Sequence, residues 1–281
     1  DLTLWTQTLD LTLRSRPLGA SERTLVVAGL HGKNQGNTNG EAGYLIPNFR
    51  ALTGGSFARV TWLRGDWTLE AGTRLDTRWL RAYPRAAALG QEGSGFMRRV
   101  TDHWGASGVM SALWQFDSTW SLGATVSTAW RPPSVNELYS AGVHHGTAQF
   151  EVGAPNLSAE RVVGADATLR HAASRTRLEV STYATRGQGF ISLLPTGQTV
   201  VTVRGTFPEF AYRQTGARLV GVDGLAEVDL PRWLTLGTTW SAVRGDDTTN
   251  RTPLYGMPSD RATLFGVLRW PDSAALRDGD L

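Results

Sequence analysis

From Trp67 to Trp79 the chain alternates: Trp67, Leu69, Ala71, Thr73, Leu75, Thr77 and Trp79 are interleaved with Thr68, Glu70, Gly72, Arg74, Asp76 and Arg78. A period of two belongs to a β-strand, whose successive side chains leave opposite faces of the pleat. One face of this strand carries four charges and the other carries none. The same division recurs downstream. Trp120, Leu122, Ala124, Val126, Thr128 and Trp130 oppose Ser121, Gly123, Thr125, Ser127 and Arg131, and Val163 to Leu169 oppose Asp166, Thr168 and Arg170. Leu178 to Ala184 oppose Arg177, Glu179, Ser181 and Tyr183, while Val220, Val222, Ala226 and Val228 oppose Asp223, Glu227 and Asp229. The expected fold is all-β and antiparallel, with a wet charged face and a bare apolar one.

A soluble β-sandwich alternates too, so the apolar face must be assigned either to a protein core or to lipid. The tryptophans point to lipid. Trp67 and Trp79, Trp104 and Trp114, and Trp120 and Trp130 share the apolar parity at opposite ends of their strands, 10 to 12 residues apart. At roughly 3.3 Å per residue and about 45° of tilt, that spacing covers about 23–28 Å of height, against an apolar band of about 25 Å between aromatic girdles in outer-membrane barrels. The small Ala, Thr and Val between the rings suit a lipid face better than an interdigitated core.

Eleven strands are expected, at about 2–13, 22–32, 54–64, 66–80, 103–116, 118–131, 160–171, 175–187, 214–230, 232–244 and 259–270. Their connections alternate in length. Short ones fall at 64–66, 117–118, 172–174 and around Pro231, and long ones at about 33–52, 81–103, 132–159, 188–213 and 245–258. Short periplasmic turns and long external loops are the asymmetry of outer-membrane barrels. An odd number of strands would leave two unpaired edges in lipid, so residues 1–281 are expected to form a single partial barrel domain of a larger protein.

Composition removes other classes. Hydrophobic residues make up 41% of the chain, yet no run approaches the roughly 18 that a spanning helix needs. Thirty-two Gly and 11 Trp beside three Met and no Cys fit turns and interfacial rings rather than a Leu-rich helical core. The formal charge is only +3, without a basic block or stripe, so no nucleic-acid partner is expected. No zinc-type Cys/His spacing, phosphate loop or nucleophile elbow is present, and no catalytic residue is expected. Arg170, Arg177 and Glu179 are read as paired charges lining a wet lumen.

At Trp130–Leu157 the chain reads WRPPSVNELYSAGVHHGTAQFEVGAPNL, followed by Ser158, Ala159 and Glu160. This resembles TonB-dependent receptors, which carry an aromatic-Arg-x-Pro-Ser-x-x-Glu-Leu-Tyr segment and then Gly-x-Pro-x-Leu-x-x-Glu at the head of the next descending strand. Glu209–Val222 (EFAYRQTGARLVGV) and Pro253–Arg261 (PLYGMPSDR) match two later segments in order. Ala154, Gln214 and Asp223 depart mildly from the pattern. The resemblance implies a barrel of 22 strands with a plugged lumen in the bacterial outer membrane, of which these would be strands 8 to 18. It also implies that the plug, through which such receptors engage the TonB complex, lies outside this chain. Partners are then outer-membrane lipid and a small metal chelate, either a ferric siderophore, haem or zinc, as transported ligand with no intrinsic cofactor.

Histidine is the informative residue for cargo, as the commonest metal ligand and a proximal haem ligand. His31, His103, His144 and His145 map to external strand ends or loops, and His171 to a periplasmic turn. Candidate ligand contacts at the external mouth are His31, His103, Glu137, Tyr139, His144 and His145, with His144 and His145 as the candidate metal ligands. Asp102 and Arg131 lie nearby, and Pro132 and Pro133 read as a rigid strand exit. Two other architectures share parts of this pattern. A passive porin or adhesin barrel would have no plug, and a soluble β-sandwich binding module would need no detergent.

Overall fold

In a computed structural model, which describes residues 2–18, 23–39, 45–89, 96–230 and 233–269, the chain forms one antiparallel strip. The strands are β1 (Leu2–Arg14), β2 (Thr24–Asn39), β3 (Asn48–Arg64), β4 (Trp67–Tyr83), β5 (Arg99–Gln115) and β6 (Trp120–Arg131). A short helix α1 (Val135–Tyr139) and the small strands β7 (Ala141–His144) and β8 (Gln149–Val152) follow. The strip resumes with β9 (Glu160–Ala172), β10 (Thr176–Thr202), β11 (Gly205–Asp229), β12 (Leu234–Asp247), the two-residue β13 (Thr252–Pro253) and β14 (Arg261–Leu268). Apart from β7, β8 and β13, each strand pairs with its sequence neighbour or across the α1 excursion, in an up-and-down meander. The eleven expected strands therefore correspond to the eleven long ones among the described residues. The expected turn around Pro231, the Trp270 end of the last strand and the tail beyond it lie outside those residues.

The short connections close for local reasons. Gly65 adopts φ 59°, so the chain turns within two residues between β3 and β4. Between β5 and β6 the Asp117 carboxylate accepts hydrogen bonds from the backbone N–H of Thr119 and Trp120, at 2.6 and 2.8 Å. That is a side chain standing in for a backbone turn.

Register sorts the faces as the alternation predicts. Glu179 lies across from Arg170 with a 3.0 Å ion pair, and Arg177 across from Glu227 with one of 3.1 Å, so the three expected lumen charges are paired along the inner face. Outward, Trp67 stacks on Trp114, its direct cross-strand partner, at 5.4 Å between ring centres and 3° between planes. Phe116, Trp120 and His171 continue this band of rings at the short-turn end, with successive centres 4.5–6.4 Å apart. A continuous outward aromatic row is what a membrane interface selects.

Two expectations are corrected. The long connections are shorter than read, because strands run on past the apolar band: β2 reaches Asn39, β4 reaches Tyr83, and β10 and β11 continue as a twisted hairpin through 188–213. Backbone ladder bonds need no apolar face outside lipid, so pairing persists where alternation stops. Trp130 also does not stand in the outer girdle. The β5–β6 ladder stops at Gly108–Thr128, and the Trp130 indole lies over Gly105, where a Cβ would overlap the ring. There it lines a cavity with Lys33, Arg74, Asp76 and Arg78 of the lumen face.

Candidate functional site at the external mouth

The segment between β6 and β9 folds back over the lumen side. Ser134 caps α1 in a capping box: its hydroxyl accepts from Glu137 N, and Glu137 Oε2 accepts from Ser134 N at 2.6 Å. Arg131 then reaches Glu137 at 2.9 Å and Glu160 at 2.8 Å, so one guanidinium ties the end of β6, the helix and the start of β9. Burial alone would raise the Glu137 carboxyl, but the Arg131 guanidinium and the Ser134 hydrogen bonds outweigh it and hold the pKa below the ordinary range. Val135, Leu138 and Tyr139 bury themselves against Ala51, Leu80 and Ala82 of the inner face and against Leu157 and Ile191. This is the main apolar core among the described residues, and it clamps the helix to β3 and β4.

Gly153, in the quoted Gly-Ala-Pro segment, passes directly behind the helix end. Its N–H donates to Ser140 O at 2.7 Å, and a Cβ there would lie 2.6 Å from Ser140 N. Gly153→Ala should therefore push the β7–β8 hairpin off α1, at a cost of roughly 1–3 kcal/mol as for other overpacked sites. Limited proteolysis of the folded protein is expected to cut the hairpin faster in the variant; an unchanged cleavage rate would show that the contact is loose.

The candidate residues divide by position. Tyr139 is 3% exposed in the core just described, where burial raises its phenol pKa against a smaller opposing effect of Arg99, and Glu137 is held in the cap and ion pair. His31 and His103 lie within β2 and β5 rather than at strand ends, because both strands extend further than expected. His31 Nδ1 meets Asp10 at 2.7 Å on the lumen face. His103 sits across from Arg78 on the same face, and its Nε2 is buried without a hydrogen-bond partner. Asp102, by contrast, has the outward parity of Trp104.

His144 and His145 are in the hairpin and differ from each other. His144 Nδ1 lies 2.7 Å from Glu151 Oε1, and the other Glu151 oxygen accepts from the Tyr212 hydroxyl at 3.2 Å. Glu151 is 3% exposed, whereas the His144 side chain is about half exposed. A carboxylate can only accept, so Nδ1 carries a proton and donates, and in the neutral ring the Nε2 lone pair is the one left on the open side. No described residue hydrogen-bonds that Nε2. His145 Nε2 instead accepts from Arg204 Nη1 at 2.7 Å, which occupies its lone pair. Glu151, Tyr212 and Arg204 were not anticipated as partners. Their meeting depends on β8 lying parallel to β11, with Glu151 beside Phe210.

A family model for the TonB-dependent receptor-like β-barrel matches residues 2–279. The chain belongs to this family. Its strands therefore cross the bacterial outer membrane. Among solved structures, the chain is similar to the copper transporter OprC (TM-score 0.74, 16% identity), covering 96% of this chain and 43% of that one. It is also similar to a double mutant of the Serratia marcescens hemophore receptor HasR in complex with its hemophore HasA and heme (TM-score 0.69, 17% identity, 96% and 50%). A third is the alcaligin outer-membrane receptor FauA from Bordetella pertussis (TM-score 0.66, 14% identity, 96% and 44%). At these identities the likeness concerns the fold, and the chain spans about half or less of each structure's length.

Proposed function

We propose that this chain is the central barrel of a receptor for energy-coupled uptake of a metal chelate, driven by TonB through a plug outside the chain, and that haem is the cargo. The observation that carries the choice of cargo is the His144–Glu151–Tyr212 relay. A histidine that donates its second ring N–H to a carboxylate is fixed in tautomer and orientation and made a better ligand. It offers one coordination bond, from a half-exposed ring at the mouth. Haem iron already has its four equatorial positions filled by the macrocycle and needs one axial imidazole, whereas zinc needs three or four protein ligands. A ferric siderophore arrives already coordinated and would leave His144 unused. Glu137 and Tyr139 support the site by holding α1, and His145, with Arg204, offers a cation beside it for haem propionates.

The test is a haem titration of the full-length receptor followed in the Soret band. His144→Ala is expected to lose the axial-ligand signature and weaken binding at least 10-fold, and Glu151→Gln to weaken it by roughly 10- to 100-fold, the usual effect of removing such a partner. Haem affinity unchanged in both variants would refute the cargo assignment. A competing ferric siderophore bound equally by all three proteins would put the receptor in the other class.

A further inference from the structure

The outward face changes character around the barrel. On β4 and β5 the upper edge of the apolar band is marked by Trp79 and Trp104, twelve and ten residues from Trp67 and Trp114 of the lower girdle. On β9 to β12 the outward residues at that level are arginines. Arg161 lies ten residues from His171 of the lower girdle, and Arg244 ten from Leu234, the first residue of β12 and on the same face. Those spacings again correspond to about 23 Å of height. Arg186 and Arg218, between them, are direct cross-strand partners. Relative to their row, Arg161 sits two residues nearer the outside and Arg244 two residues nearer the membrane. The lower aromatic girdle drifts across the ladder in the same sense, from the Trp67–Trp114 row to Trp120 one pair lower, so the four arginines form a level belt.

These guanidiniums are exposed, and three have no partner among the described residues. Arg244 is satisfied by a bidentate pair with Asp260, at 2.8 Å for Nη2–Oδ2. No hydrogen bond or ion pair from a described residue reaches Arg161, Arg186 or Arg218, although Asp246 lies across the ladder from Arg218. Like charges directly opposite on a sheet are unfavourable unless an anion lies between them. Immediately below Arg186 and Arg218 the outward surface forms a recess of about 490 Å³, lined by Val126, Val163, Ala165 and Ala184 among others. A row of unpaired guanidiniums at the polar interface, above an apolar recess at acyl-chain depth, complements one kind of molecule.

We propose that Arg161, Arg186 and Arg218 form a site for a phosphorylated, multiply acylated lipid of the outward leaflet. Its phosphate bridges Arg186 and Arg218, and an acyl chain occupies the recess. Basic residues at this depth attract anionic headgroups with a strength that is additive per cation and screened by salt. The site faces lipid on the outer surface of the barrel and is separate from the cargo mouth, which opens on the lumen side.

The experiment uses the full-length receptor, delipidated in detergent, and counts bound lipid by native mass spectrometry. Probes are diphosphoryl lipid A, a zwitterionic phosphatidylethanolamine and inorganic phosphate. Wild type should retain lipid A over phosphatidylethanolamine, more weakly at high salt. Arg186→Gln with Arg218→Gln should bind it roughly 30-fold less well, while Arg186→Lys with Arg218→Lys keeps most of the affinity and shows that folding is intact. Equal lipid A binding by the Gln variant and wild type would overturn the site. So would equal retention of phosphatidylethanolamine, or displacement of lipid A by an equal concentration of inorganic phosphate.

Discussion

Val126→Arg in the full-length receptor is expected to lower the equilibrium constant for folding into the membrane roughly 30- to 700-fold, Leu122→Arg clearly less, and Thr125→Arg hardly at all. Val126 points outward and is 58% exposed in the protein alone, so its surroundings in the cell are lipid. It lies six residues above Trp120 of the lower girdle, about 14 Å of height, close to the middle of a 25 Å band. Arginine at that depth costs about 2–4 kcal/mol on the lipid face, where nothing replaces its hydration, and every 1.4 kcal/mol is tenfold in an equilibrium. Leu122 shares the parity but is only two residues from the girdle, where an arginine can reach the headgroups and the penalty falls toward zero to 1 kcal/mol. Thr125 is on the other face, directly across from Asp166, so a new guanidinium there gains a carboxylate in a wet lumen. Urea titration of barrel insertion into short-chain vesicles, read on heat-modifiable electrophoretic mobility, ranks the three variants. Equal midpoints for Val126→Arg and Thr125→Arg would mean that the inside and outside of the strip are wrongly assigned.

The same physics explains how far the fold could be read from residues. Lipid imposes an apolar outward face, so parity was legible wherever a strand crosses the band, as at Trp67 to Leu75 or Leu178 to Ala184. Beyond the band water accepts any side chain and alternation ceases to be enforced. Residues 188–202 of β10 therefore read as a loop, although they remain hydrogen-bonded to β11. Trp130 keeps the outward parity in sequence but turns aside, because β5 and β6 have separated there and Gly105 leaves room for an indole. Nothing local in the sequence records that separation.

The mouth was legible in part for a different reason. The two prolines after Arg131 mark the exit from β6, whereas the Ser134–Glu137 capping box that starts α1 emerged only from the structure. The relay that orients His144 was not legible. Tyr212 is 61 residues from Glu151 in the chain, and only the parallel placement of β8 on β11 brings them together. Likewise, Asp10 and His31 meet through the β1–β2 register, which a change of apolar parity between Leu4 and Leu9 obscures in the sequence. Residue types could nominate histidines, but contacts between distant strands decided which ring nitrogen stayed open.

Arg131→Met should loosen the whole mouth while leaving the barrel inserted. Arg131 is the one guanidinium shared by Glu137 and Glu160, whose side chains are 12% and 9% exposed. Removing one partner of a buried pair leaves the carboxylates desolvated and uncompensated, which costs about 3–5 kcal/mol when the site is fully enclosed. Arg131 is itself half exposed, so water offsets part of this, and roughly 2–3 kcal/mol is expected. Arg131→Lys keeps the charge but loses the fork that serves two carboxylates at once, so it should fall between the variant and wild type. The pH dependence separates this from a simple packing defect. In wild type the Glu137 pKa is depressed, so its stabilisation is present above the unfolded carboxylate value of about 4.3 and is lost as pH falls through the lower folded value. Without the guanidinium, burial is opposed by the Ser134 hydrogen bonds alone, the depression shrinks, and that loss on acidification flattens. Hydrogen exchange of the 134–157 segment, measured on the full-length receptor between pH 3 and pH 7, reads both effects. Faster exchange in Arg131→Met at neutral pH, with less further acceleration on acidification than in wild type after correction for intrinsic rates, is the expected result. Parallel pH profiles would mean that the guanidinium does not hold the mouth closed.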